Sequence, residues 1–449
     1  MLHNFVRAPS RASARWITLI LLSTGIYSCG EEESTQQAES VATVKEDLAP
    51  ADIDLSALRG LGYTDFSEEE DWSTVDGLVI HDPSRASEGY TFYVDIPTAR
   101  AFLLDMRGAE RATWSLPGAR QWNRGIILED GDLLAIGVSD KEALASMPRV
   151  DGDVPMAGFL ARMSWSGEVL WRKQIGAHHD IELTQDGHIL VLGEARRLTE
   201  LHPDCGIIDN AVMLFTGDGE LVDEVSSYDV LNSTPEVNQF VERRNEEKCS
   251  LGYPNDCLHL NCGRWIDQPN LTGRHAIYEP GNVIITSRKQ HTVAIFNFER
   301  RELIWAWGRG TILFPHEAQV LDNGHILLLD NGAPNKREYS RVIELDPIEN
   351  KIVWSYSATP PESFYTIGRG TVQRLPNDNI LISSSGQGQI FEVARDGDVV
   401  WRYHNPYFSG ENNAKKRGVL RAQRYTSEFI DNLLATTATI KPAKPQDGR

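Results

Sequence analysis

DIELTQDGHILVLG (residues 180–193) is followed by AVMLFTGDGELVDE (residues 211–224), and this succession of two unlike hairpins decides the fold. In each stretch apolar residues alternate with polar ones on both sides of a short Asp/Gly turn, the period-2 pattern of paired antiparallel strands. The first type recurs as GIILEDGDLLAIG (125–137), AIYEPGNVIITS (276–287), EAQVLDNGHILLLD (317–330) and TVQRLPNDNILISS (371–384). The second recurs as FLLDMRGAERATW (102–114), FLARMSWSGEVLW (159–171), VAIFNFERRELIW (293–305), RVIELDPIENKIVW (341–354) and QIFEVARDGDVVW (389–401). Five of its six copies end on a tryptophan, at Trp114, Trp171, Trp305, Trp354 and Trp401, and the sixth ends at Glu224. Two hairpins make a four-stranded unit, and such units at a spacing of roughly 40 to 55 residues are the pattern of a propeller rather than a sandwich. The expected fold is therefore all-β, a six-bladed β-propeller of four-stranded antiparallel blades. The recurrent tryptophans read as blade packing.

A propeller's innermost strands converge on one axis, so residues in equivalent register on those strands must meet. Counting back eight residues from the turn glycines Gly187 and Gly324 reaches His179 and His316. The same count reaches Asn123 in the hairpin before them and Gly370 in the one after. Two histidines that share a register on converging strands are expected at one mouth of the channel.

With 41% hydrophobic residues over 449 positions the chain can bury a large core, and one large domain is expected over residues 76–435. The net charge of −20 argues against a nucleic-acid surface. At the N-terminus Arg7, Arg11 and Arg15 precede the apolar run WITLILLSTGIYS (16–28), a pattern of export rather than of a membrane span. The run ends at Ile26, Tyr27, Ser28 and Cys29, similar to a bacterial lipoprotein cleavage box. The expectation is a signal peptide over residues 1–28, lipidation of Cys29, an acidic tether to residue 75 and a disordered tail over 436–449. The protein is thus expected to be exported, in the periplasm or on the outer membrane of a Gram-negative bacterium, touching the membrane only through its lipid. In an oxidising compartment Cys205, Cys249, Cys257 and Cys262, in an insertion at about 200–265, are expected to form two disulfides, with three pairings open. They lack the paired spacing of a zinc site.

Four stretches resemble the bacterial PAPS-independent arylsulfate sulfotransferases: AHHDIELTQDGHILVL (177–192), FPHEAQVLDNGHILLLDNG (314–332), SRVIELDPIENKIVWSYS (340–357) and the run from Gly368 to Pro406. DCLHLN supplies Asp256, His259 and Asn261 in the family's order, and VIITSRK supplies Ser287 and Arg288. His275 is the alternative counterpart of His259, and His178 the fallback at the doubled histidine motif. The resemblance implies transfer of a sulfuryl group from an aryl sulfate to a phenol through a sulfohistidine, with His316 as nucleophile. It also implies His179 or His259 as proton donor and acceptor, and Arg288 and Asn261 as donors to the sulfuryl oxygens.

Neutral imidazole suits both nucleophilic and proton-transfer roles. Trp122 and Tyr365 are the candidate platforms for an aryl ring, because they are read as loop residues outside the repeat. There is no GxxxxGK[ST] motif and no dinucleotide fingerprint, and neither a cofactor nor a metal is expected. The competing reading is a non-catalytic propeller lipoprotein that binds a ligand or partner, since fold alone does not confer chemistry. Oligomeric state stays open, a homodimer included.

Overall fold

The computed structural model describes residues 76–437 apart from 97, 146–156, 238–239, 241–245, 252 and 409–417. The leader, Cys29, the tether and residues 438–449 lie outside the described residues. Among the described residues the chain forms six antiparallel sheets arranged as a six-bladed propeller. From inside to outside the second blade runs Ala119–Ile127, Leu133–Ser139, Gly158–Met163 and Val169–Gln174. The inner strands of the third to sixth blades are Ala177–Leu183, Leu260–Trp265, His316–Val320 and Thr371–Arg374.

The first blade is built differently. Its inner strand is Val419–Tyr425, which pairs with Tyr90–Asp95 from the far end of the domain. The strand Gly77–His81 in turn adds a fifth strand to the outside of the sixth blade, against Val399–His404. Both ends of the domain therefore fasten the junction between the first and sixth blades. No inner hairpin is read for the first blade because its inner strand comes from the far end of the domain. The stretch 276–287, read as an inner hairpin, is corrected: Ala276–Tyr278 is a single 3-10 turn, and the fourth blade's inner strand is Leu260–Trp265, joined to Asn282–Ser287 by a longer connection.

Alternation on the middle strands buries both faces. Phe92, Val94 and Leu103 pack with Leu133 and Phe159 of the second blade. Their sequence neighbours Tyr93, Phe102 and Leu104 pack on Leu381, Ile390 and Trp401 of the sixth. Every pair of adjacent blades shares such an apolar layer, so the core is a ring of six layers rather than one central mass. The outer-strand tryptophans fasten those layers. The indole N–H groups of Trp114, Trp354 and Trp401 donate to the carbonyls of Trp165, Arg395 and Met106, each on the outer turn of the next blade. Trp171 lies against Gly219 in the same relation, where a Cβ would come within 3.1 Å of the ring.

Of the four candidate disulfide cysteines only Cys205 and Cys249 pair, their Cα atoms 4.9 Å apart. Cys257 and Cys262 are buried and do not join each other. The expectation of two disulfides is corrected for a positional reason: Cys262 lies in an inner strand, where its Sγ faces the Ala318 carbonyl at 3.2 Å. The Cys205–Cys249 bond closes a segment of 44 residues. Replacing both by alanine is expected to lower unfolding stability by about 2–5 kcal/mol, read as a lower denaturant midpoint, and an unchanged midpoint contradicts it.

Candidate functional site

Strand pairing confirms the common register of the two histidines. Leu183 faces Ile189 and Val320 faces Ile326, and His179 and His316 each stand four residues before those positions. Trp265 faces Val283, so the fourth blade brings Asn261 to this level, with His259 two residues further toward the mouth. Each of these three inner strands is irregular at that end, with register shifts between Ile181 and Ala177, which face Val191 and Gly193, between Leu260 and Cys262, and between His316 and Gln319. Bulges of this kind re-aim side chains. His179 (φ 55°), His259 (φ 48°) and Glu317 (φ 52°) occupy the left-handed region, which non-glycine residues rarely adopt without a local constraint.

Beside these residues a buried charge network occupies the axis. Arg124, Asp180, Cys262, Glu317 and Thr371 each lie three residues before the paired position of their strand, and Arg421 joins them from the closing strand. Glu317 accepts from Arg124 at 2.9 and 3.0 Å and is also paired with Arg264 and Arg421. Arg124 reaches Asp180 at 2.8 Å. Arg421 additionally donates to the carbonyls of Asn261 and His179, at 2.9 and 3.2 Å. Burial works against the Glu317 carboxylate, but the three guanidinium groups hold its pKa below the ordinary range. Glu182, more deeply penalised by burial than it is helped by Arg264, is pushed up to about 7.

Above this network the histidines form two groups. His179 Nε2 and His259 Nε2 are 3.2 Å apart, and the His178 ring lies tilted against His179 at 53° with ring centroids 3.7 Å apart. His259 Nδ1 lies 2.6 Å from Asp256 Oδ2, which leaves its Nε2 as the lone-pair nitrogen. Burial works against the Asp256 carboxylate, but the adjacent His259 and Lys289 bring its pKa down to about 2. His316 forms the second group. Its Nδ1–H donates to Asn331 Oδ1 at 2.7 Å and to the Phe314 carbonyl at 3.0 Å. Its Nε2 accepts from the Arg369 amide at 2.9 Å. Asn331 also donates to the carbonyls of Thr366 and Arg369, at 2.5 and 2.8 Å, so one side chain fixes both the imidazole and the loop over it. The Arg288 guanidinium lies 4.3 Å above the Phe314 ring and acts on His316 electrostatically.

His178, His179 and His316 all have pKa values well below the usual histidine range. Burial is the main cause for each, reinforced by His259 for His178, by His178 and His259 for His179, and by Arg421 and Arg288 for His316. Unfolding exposes them to water, where they titrate near 6.5, so below that pH the unfolded chain binds the extra protons. Stability is therefore expected to fall as pH drops below about 6.5, by up to ~1.4 kcal/mol per pH unit for each histidine. Denaturant titrations at stepped pH check this, and a flat profile between pH 7 and 5 contradicts it.

His316, His179, His259, His178, Arg288 and Asn261 are thus brought to one end of the channel. Asn261 gives one of its two Nδ2 hydrogens to the Pro315 carbonyl at 3.3 Å, which braces the residue before His316. His275 is excluded as the counterpart of His259. It is exposed beside Tyr278, whose hydroxyl bonds Gly324 at the opposite end of the fifth inner strand. Trp122 is a core residue rather than an aryl platform, fully buried with its indole N–H on the Arg124 carbonyl at 2.8 Å. It lies within the inner strand, which starts at Ala119, six residues before the quoted hairpin. Tyr365 is half-buried, and its pKa is raised to about 12 by burial and Glu338. Two groups of described side chains have the proximity for a metal ion, His178/His179/His259 and His202/Cys205/Cys249, and the disulfide consumes the second. A separate cavity of about 640 Å³, lined by Gln319, Asn323, Gln373 and Arg424 among others, lies at the turn end of the inner strands and contains none of these histidines.

The arylsulfotransferase (ASST) family model matches residues 152–406. No curated protein matches the chain. Among solved structures, a protein of unknown function from Bacteroides caccae is similar at 14% identity and a TM-score of 0.48, over 75% of this chain and 99% of that one. A streptogramin B lyase is similar at 12% identity and a TM-score of 0.40, over 80% of this chain and 97% of that one.

Proposed function

The chain belongs to the arylsulfotransferase family, and on that premise we propose that it moves a sulfuryl group from an aryl sulfate to a phenolic acceptor through a sulfohistidine at His316, without a nucleotide sulfate donor. The observation that carries the reading is the orientation of His316. Its Nδ1 is fixed by Asn331 and Phe314, so the lone pair sits on Nε2, the nitrogen beneath the Arg369 amide.

In the first step His316 Nε2 attacks sulfur, the bond from sulfur to the aryl oxygen breaks, and the phenolate leaves with its electron pair. Arg288 and the Arg369 amide, once released from Nε2, are the donors for the sulfuryl oxygens, where charge is carried throughout the transfer. His259 enters this step as an imidazolium, its Nδ1–H on Asp256 and its second proton on Nε2 beside His179; it gives that second proton to the departing phenolate and becomes neutral. In the second step the acceptor phenol returns a proton to His259, its oxygen attacks sulfur, and the nitrogen–sulfur bond breaks. Splitting one displacement into two is the gain of a covalent nucleophile.

Export with a lipid on Cys29, in the periplasm or at the outer membrane, belongs to the same proposal, as do small aryl sulfates and phenols as partners. The test is intact-mass analysis after brief exposure of the purified protein to a chromogenic aryl sulfate. A sulfuryl-sized gain that added phenol removes supports the reading. Absence of both adduct and released phenol over several donors moves it to a non-catalytic binding propeller. For His259→Ala, turnover is expected to fall by ~10²–10⁴-fold with poor phenolate leaving groups and by much less with nitrophenyl sulfate, which leaves without a proton. Equal losses across leaving groups contradict the proton-transfer role.

A further inference from the structure

We infer that His178, His179 and His259 form a binding site for one divalent transition-metal ion, zinc(II) foremost, at the mouth of the channel. The inference goes beyond the sulfuryl-transfer reading and does not rest on it, because His316 is not a ligand.

Four observations converge. One ring nitrogen from each histidine lies within 4.8 Å of the others. Of these, His179 Nε2 and His259 Nε2 are 3.2 Å apart, and two imidazole nitrogens sharing a tetrahedral ion at bonds of ~2.0–2.1 Å stand about 3.3 Å apart. The third ligand is His178, whose ring centroid lies 3.7 Å from that of His179. Ligating histidines characteristically give their other nitrogen to a carboxylate, and His259 does so, with Asp256 Oδ2 2.6 Å from its Nδ1; the Glu194 carboxylate stands near His178, Oε1 3.2 Å from Nε2. That leaves Nε2 of His259 as its inward nitrogen. Finally, His179 and His259 are both held at positive φ by inner-strand irregularities, so the backbone departs from regular strand geometry at the two residues whose nitrogens face each other.

Three neutral imidazoles with no protein ligand in the fourth position make an open site. All-imidazole donors suit zinc(II) and copper(II) rather than magnesium or calcium, which take oxygen ligands. Sequence spacing gives no sign of it, because the ligands come from two blades. Ion and proton would occupy the same nitrogens of His179 and His259, so a zinc-loaded site and a proton-relaying one exclude each other.

The experiment uses the full purified chain, stripped with a chelator and dialysed. It is titrated with zinc(II) by calorimetry, and cobalt(II) serves as an absorbing probe of ligand geometry. One zinc per chain and a tetrahedral cobalt spectrum are expected. His259→Ala and His178→Ala should each weaken zinc binding by at least ~10-fold, and Asp256→Asn by ~10–100-fold. His316→Ala and His202→Ala should leave stoichiometry and affinity unchanged. Circular dichroism separates ligand loss from unfolding, and Asp256→Asn, which removes no ligand, serves where an alanine variant fails to fold. Absence of stoichiometric zinc in the folded wild-type chain, or binding that survives His179→Ala/His259→Ala, overturns the inference. A sulfuryl adduct on wild-type protein that binds no zinc would overturn the metal site alone, leaving the transferase reading intact.

Discussion

His316→Ala protein is expected to release no phenol from aryl sulfates and to gain no sulfuryl mass, with a loss of turnover of at least ~10⁴-fold. The size follows from the role: without a nucleophile the two-step route is closed, and the donors around it are left with only direct transfer between two phenols, which they were not arranged to bring together. The alanine also leaves Asn331 Oδ1 and the Arg369 amide without their imidazole partner. Circular dichroism and a melting curve must therefore accompany the rate. His275→Ala, an exposed change at the other end of the blade, should turn over at the wild-type rate. A sulfuryl adduct on the His316→Ala chain, or retained turnover, would remove His316 from the centre of the mechanism.

Glu317→Ala should be among the most destabilising single changes in the domain, with a loss of about 3–5 kcal/mol. The variant leaves Arg124, Arg264 and Arg421 together in a buried space with only Asp180 and the partly protonated Glu182 to balance them. Uncompensated buried charge, rather than the lost attraction, dominates that cost. Glu317→Gln keeps the shape and some hydrogen bonds and should fall between the two. Because Arg421 also bonds the carbonyls of His179 and Asn261, residual folded protein should have weakened activity as well. Denaturant unfolding within 1 kcal/mol of wild type for Glu317→Ala would mean that water or rearrangement satisfies the arginines.

The blade count was legible because strand alternation and turn residues are local, and so was the common level of His179 and His316, because both are counted from glycines that end the same kind of hairpin. What local pattern does not carry is harder to see. The first blade's inner strand, Val419–Tyr425, has its partner at Tyr90–Asp95, so no hairpin announces it. His259 lies two residues beyond the common level in a bulged lead-in, where counting from a turn fails and only the resemblance marked it. Asn331 was within the quoted FPHEAQVLDNGHILLLDNG stretch, yet it follows the second strand of its blade, and the register argument considered only the inner ones. The axial charges were legible as residues and invisible as a network, since Arg124, Asp180, Glu317 and Arg421 come from four different blades. Trp122 was misread because its strand begins before the alternating pattern becomes regular.

The closing strand has a consequence for the order in which the molecule becomes competent. Val419–Tyr425 is the last of the six inner strands along the chain, and it delivers Arg421 to the axis. Five blades can stack as they emerge, but until this segment arrives Glu317 lacks one of its three cations and the His179 and Asn261 carbonyls lack their donor. Ring completion and site completion are therefore a single event. A chain interrupted before residue 419 would carry every histidine of the pocket yet lack the arginine that pairs with Glu317 and bonds the His179 and Asn261 carbonyls.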